Sequence, residues 1–340
     1  MLVVSMAVAD RAGAQGRWTV RTSPHVDLWL HSFALISADS SPVPLYLRGY
    51  RDSAMVQRKR ANVLTSLDGN RDALAKRLAE SPAYLQAQFL PFQFSSWDEM
   101  RGAAEKFLQF AGEPRRAPNQ QVAEQVALFA GVFSSPADRD WLRLFLASAQ
   151  DENARWFASE HSRQLASLTA ITSTVDTAWT NSYRAKFERF LNNTSQRNGE
   201  MLLSLVIGGE GRAGNGRDRG TVVAVTWPTK VANAREAIVV FAHEVTGSLV
   251  GGIVTDNVTP AEQREGIADR YVSIGQTRAG ALLLEKIAPE LVEPYMRYYL
   301  AQAGALVTGD VPAAFSRTFA LPKAITDALQ RQIDIVLGGI

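Results

Sequence analysis

The hydrophobic pattern divides the chain into a helix-rich stretch, a short strand-like interruption and a second helical stretch. Helix signals dominate from about residue 70 to residue 192. Ser96 and Glu99 make a capping box in SSWDEMRGAAEKFLQFAG, and Gly112 stands where that helix should stop. Ser135-Pro136 opens WLRLFLASAQ with a cap residue and a proline at the first helical position. Upstream, RWTVRTSPHVDLWLHSFALIS reads either as a strand followed by a helix or as one helix from Pro24.

Residues 200–227 change character. EMLLSLVIGG and GTVVAVTWP are β-branched runs of strand length, separated by the Gly- and Arg-rich EGRAGNGRDR. They predict a hairpin with a long mobile loop, its second strand, Thr221 to Trp227, at the sheet edge. The loop lacks the GK[ST] ending of a phosphate-binding loop, and no helix follows it directly. After Pro228 the apolar helix NAREAIVVFAHEVTGSLVGGIV begins, with Asn233 as its expected cap and Glu236 three residues on. Thr259-Pro260-Ala261-Glu262 is another capping box, and two further helical stretches close the chain. No internal repeat is visible, and no uninterrupted apolar span of about eighteen residues argues for a membrane crossing.

The expected fold is α+β, mainly helical with a small antiparallel sheet. A terminus (1–15) precedes a mainly helical region (16–195), then a region holding the hairpin, the apolar helix and the last helices (196–340); the two large regions form one continuous domain or two. MLVVSMAVADRAGAQG runs from an apolar start to the A-x-A pattern Ala12-Gly13-Ala14, so it reads as the tail of a secretory signal or as a plain disordered terminus. The first reading implies export to the periplasm or the secreted space.

Composition narrows the chemistry. Lys plus Arg (36) nearly balances Asp plus Glu (34), which leaves no overall field to recruit nucleic acid. There is no cysteine, so any metal must be held by His, Asp or Glu. Trp179, Tyr183 and Phe187 recur at four-residue spacing beside basic residues, a pattern that fits the core face of a helix better than base stacking. No G-x-S-x-G elbow is present.

The apolar helix carries the informative pair, His243-Glu244. A helix apolar on nearly every face is buried all round, and a buried carboxylate without partners costs several kcal/mol or becomes neutral. The pair must therefore be answered from elsewhere in the fold. HEVTG resembles the His-Glu-x-x-His motif of zincin metallopeptidases over FAHEVTGSLV, although the second histidine is replaced by Gly247.

That resemblance implies an α+β fold with a substrate cleft between an edge strand and the motif helix, and a peptide or protein substrate paired with Thr221 to Trp227. It makes His243 a zinc ligand and Glu244 the general base. With Gly247 lacking a donor, other ligands must come from elsewhere: Asp256, Glu262, Glu265 and Asp269 downstream, of which Glu265 and Asp269 are preferred. His25, His31 and His161 are the remaining imidazoles, His25 and His31 being favoured. Catalytic zinc normally takes three protein ligands and a water. The substitution therefore equally fits a zincin-like homologue without activity, or a non-catalytic binding or scaffold protein of the cell envelope or secreted space. A plainer alternative has Gly247 and Gly251 letting another element approach, with His243 and Glu244 bonded to backbone or to Arg264 or Arg270.

Overall fold

The computed structural model describes residues 18–37, 43–80, 82–305 and 309–338, so the signal-like segment 1–15 lies outside the described residues. Strand β1 (Trp18–Arg21) leads into helix α1 (Pro24–Ile36), which has its proline at the first helical position; the ambiguous N-terminal stretch is a strand and then a helix. Helices α2 (Tyr50–Arg60), α3 (Ser66–Glu80), α4 (Trp97–Gln109), α5 (Gln120–Ala130) and α6 (Pro136–Glu152) follow. Most of the sequence signals act here as expected, but the box at Ser96 is only half formed, because the Glu99 carboxylate accepts the backbone N–H of Ser95 and not that of Ser96. Ser96 Oγ accepts from Glu99 N, Ser135 and Asp138 form a full capping box, and Gly112 N–H closes the end of α4 on Phe107 O from a left-handed φ of +77°.

A π-helical turn at Asn153–Phe157 joins α6 to α7 (Ala158–Ser167), and another at Trp179–Tyr183 joins α8 (Thr169–Ala178) to α9 (Arg184–Asn193). Trp179, Tyr183 and Phe187 are buried, and Trp179 and Phe187 pack on Phe241, which accounts for their spacing as core.

The sheet departs from the expectation. Strands β2 (Gly199–Ser204), β3 (Arg212–Asn215) and β4 (Thr221–Thr226) join β1 in the order β1-β2-β4-β3. β1–β2 and β2–β4 are parallel, and only β3–β4 is antiparallel, so the sheet is mixed. The two apolar runs do not form a hairpin. The chain leaves β2, crosses beyond β4 and returns as β3, which turns through Arg217–Arg219 into β4. The true hairpin therefore pairs β4 with a strand, β3, that lies inside the Gly- and Arg-rich connector. Thr221 to Trp227 is consequently an interior strand; the edges are β1 and β3.

Parallel pairing belongs with a sheet covered on both faces, and this sheet is. Leu202, Val222 and Ala224 join the core built by α1 and α3–α6. Met201, Leu203, Val223 and Val225 face the opposite core. That second layer comprises α8, α9, α10 (Arg235–Asp256), α12 (Ile267–Ile287), α13 (Val292–Gln302), α14 (Val311–Thr318) and parts of α15 (Lys323–Val336), with the short α11 (Pro260–Arg264) at its rim.

Asn233 does not cap α10. A 3-10 turn at Val231–Asn233 precedes the helix, and the Asn233 side chain donates to Glu236 instead of receiving a backbone N–H. With that turn, α10 is long and apolar enough to cross a membrane by length and composition alone, but 67% of its most apolar window is buried inside the fold, as in a core helix. Ala237–Thr246 is buried on every side, whereas beyond Gly247 the helix shows one face to solvent.

Candidate functional site

The pair sits in the fully buried half of α10, where that helix meets β3, α12 and α13. His243 is 3% exposed and Glu244 5%. Both are answered. Glu244 Oε2 accepts the backbone N–H of Ala213, on edge strand β3, at 2.6 Å. Its Oε1 accepts from Gln276 Nε2 of α12 at 2.8 Å and lies 2.9 Å from His243 Nδ1. The approach of β3 depends on Gly211, which has a φ of +62°; a Cβ there would stand 2.8 Å from Glu244 Cγ and 2.7 Å from Val240 Cγ1.

A carboxylate oxygen only accepts, so the contact makes His243 Nδ1 the donor and leaves the lone pair of a neutral ring on Nε2. Nε2 points to Thr277 Oγ1 at 3.5 Å, and the ring stacks on Tyr299 with centroids 4.8 Å apart. Tyr299 donates to Gly209 O at 3.0 Å and Tyr295 to Thr277 O at 2.9 Å. Burial pushes both phenols well above their ordinary pKa, which keeps them as neutral donors.

Gly247 lies one turn beyond His243. A Cβ at this position would stand 3.2 Å from Gln276 Nε2, so positions 243, 247 and 276 converge. As a donor set for zinc they fit poorly. Gly247 supplies nothing, the amide of Gln276 is spent on Glu244, and a catalytic zinc normally wants three protein ligands. Glu265 ends α11 and Asp269 lies in the first turn of α12, both exposed. Asp269 is seven residues, or roughly 10 Å of helix, before Gln276. Asp256 is exposed, and Glu262 accepts from its own cap residue Thr259, whose backbone N–H holds that carboxyl below its ordinary pKa. Among the described residues no group of three or more His, Asp and Glu side chains is placed to hold a metal ion.

The other imidazoles are committed elsewhere. His25 Nε2 meets the carbonyls of Pro91 and Phe94, His31 lies between Tyr50 and Glu152, and His161 contacts Asp27. None of them completes a site with His243. Arg264 and Arg270 do not serve the pair either: Arg264 donates to Pro260 O, and Arg270 is exposed. The partner that sequence reasoning missed is Gln276, whose only signal was the polar triplet Gln276-Thr277-Arg278 between SIG and the small and apolar run AGALLL.

Above Glu244 opens a cavity of about 730 Å³, at the N-terminal ends of β2 and β4. Glu244, Gly247 and Gln276 line it together with Arg197, Asn198 and Thr221. Edge strand β3 borders it, but two of its outward groups are already taken, Ala213 N–H by Glu244 and Asn215 O by the Gln93 side chain. No family model, no curated protein and no solved structure matches the chain.

Proposed function

We propose that the chain is a zincin-like homologue whose catalytic apparatus has become a structural latch, and that it works as a non-catalytic binding protein through the cavity above Glu244. The observation that carries this reading is the full engagement of the Glu244 carboxylate by Ala213 N–H, Gln276 and His243. A general base must keep an oxygen for the proton of the attacking water, and here each oxygen already accepts from the fold. Descent from a metal-binding scaffold is supported by an edge strand beside the motif helix and by the convergence of positions 243, 247 and 276. The cavity wall offers guanidinium, amide and hydroxyl groups, which suits a polar partner. Placement in the cell envelope or secreted space belongs to the same reading and rests on the N-terminal pattern alone.

Zinc titration followed by calorimetry and metal analysis tests the proposal. The natural chain is expected to take up no stoichiometric zinc, whereas the Gly247→His/Gln276→Glu double variant gains one ion. One zinc per natural chain, lost in His243→Ala, would overturn the latch and restore a metallopeptidase. A double variant that binds none would remove the zincin descent.

A further inference from the structure

A second cavity, of about 370 Å³, opens at the opposite ends of the same two strands, where Leu205 follows β2 and Trp227 follows β4. The crevice beyond the carboxyl ends of parallel strands is where ligands settle in open α/β sheets. Helices α2 and α7 form its other walls, with Tyr50 and Gln57 from the first and Glu160 and His161 from the second. The π-helical turn before α7 contributes Trp156 and Phe157, and such turns recur at functional sites.

Behind the wall lies a buried acid–imidazole pair that the site at Glu244 does not use. Asp27 is 2% exposed and accepts from Ser204 Oγ at 2.6 Å, Leu205 N at 3.2 Å and His161 Nε2 at 2.8 Å. These contacts place the proton of a neutral His161 on Nε2 and leave Nδ1 as an acceptor. Nδ1 has no hydrogen-bond partner among the described residues. The ring is held flat on Phe157, 5.0 Å between centroids, so its direction is fixed before any ligand arrives. At the wall, the buried indole N–H of Trp227 also finds no acceptor among the described residues, an omission that buried donors rarely show. The charged side chains are engaged: Glu160 by Arg163 and Gln164, and Arg48 by the carbonyl of Gln302.

We propose that this cavity binds a small neutral aromatic molecule bearing an O–H or N–H group, which donates its hydrogen bond to His161 Nδ1. Trp156, Phe157 and Tyr50 supply the aromatic wall, and the Asp27–His161 pair supplies the polar specificity. The site is independent of the reading given to the Glu244 cavity.

Phenol and its isostere toluene are the probes, titrated into the full chain and followed by ligand-observed NMR and calorimetry. A site built around one hydrogen bond discriminates against the analogue that lacks it. Phenol is expected to bind at least tenfold more tightly than toluene. Gln57→Trp fills the mouth from α2 without touching the Asp27 contacts, and should abolish binding of both probes. His161→Phe keeps the stacking on Phe157, removes the acceptor and should bring the two probes within twofold of each other. Equal affinity for phenol and toluene in the natural chain, undiminished phenol binding in Gln57→Trp, or no saturable phenol binding would each overturn the proposal.

Discussion

Glu244 owes its place to the cost of an idle buried charge. Three donors converge on it from a strand, a neighbouring helix and its own helix, and each would be left facing a poorer acceptor if the carboxylate were altered. In Glu244→Gln one oxygen becomes an NH2 that must face either Ala213 N–H or the Gln276 and His243 donors. Leaving one buried donor unsatisfied costs about 1–3 kcal/mol. Urea denaturation of Glu244→Gln should show a loss of that size. Glu265→Gln and Asp269→Asn, at exposed positions, should leave the midpoint unchanged. Equal effects at all three positions would contradict the latch.

At the scale of elements, the site depends on α12 lying close against α10. Gly275 makes room for that approach: a Cβ there would stand 2.8 Å from Val250 Cγ1. Gly275→Val should therefore overpack the seam at a cost of about 1–3 kcal/mol, seen as a lowered Tm. Gly252, on the same α10, has nothing among the described residues within 4 Å of an added Cβ. Gly252→Ala should raise Tm, since alanine is favoured over glycine in a helix by up to about 1 kcal/mol. A destabilised Gly252→Ala, or a neutral Gly275→Val, would mean that the two helices do not pack in this register.

The whole molecule carries a pH dependence set by histidines in its first helical layer. Burial lowers His25 and His31 below their ordinary value of 6.5, only partly offset for His25 by the Pro91 and Phe94 carbonyls and for His31 by Glu152. As the pH falls through 6.5 the unfolded chain therefore takes up protons that the folded chain refuses. The stability these residues contribute is complete above that value and is lost progressively below it, by up to about 1.4 kcal/mol per pH unit for each histidine. Denaturation midpoints measured between pH 7.5 and 5 should fall accordingly, and His31→Gln should remove up to half of the slope. A flat profile in the natural chain would show that neither ring is held neutral.

Much of the fold was legible in the sequence because its signals are local. Ser135, Pro136, Thr259 and Gly112 act on the backbone within one helical turn, so their residue types alone set where helices begin and end. The demand that His243 and Glu244 be answered was also legible, since it follows from the cost of burying polar groups and needs no partner to be named. Strand pairing was not. Two β-branched runs have the same composition whether they run parallel or antiparallel, and the short strand RAGN, buried on neither face, gave no periodic signal that it would take the edge beside β4. Nor could sequence spacing choose Gln276 over Glu265 or Asp269. That choice was made by the packing of α12 on α10, because hydrogen bonds require contact in space, and thirty-two residues of chain separate Gln276 from the oxygen it serves.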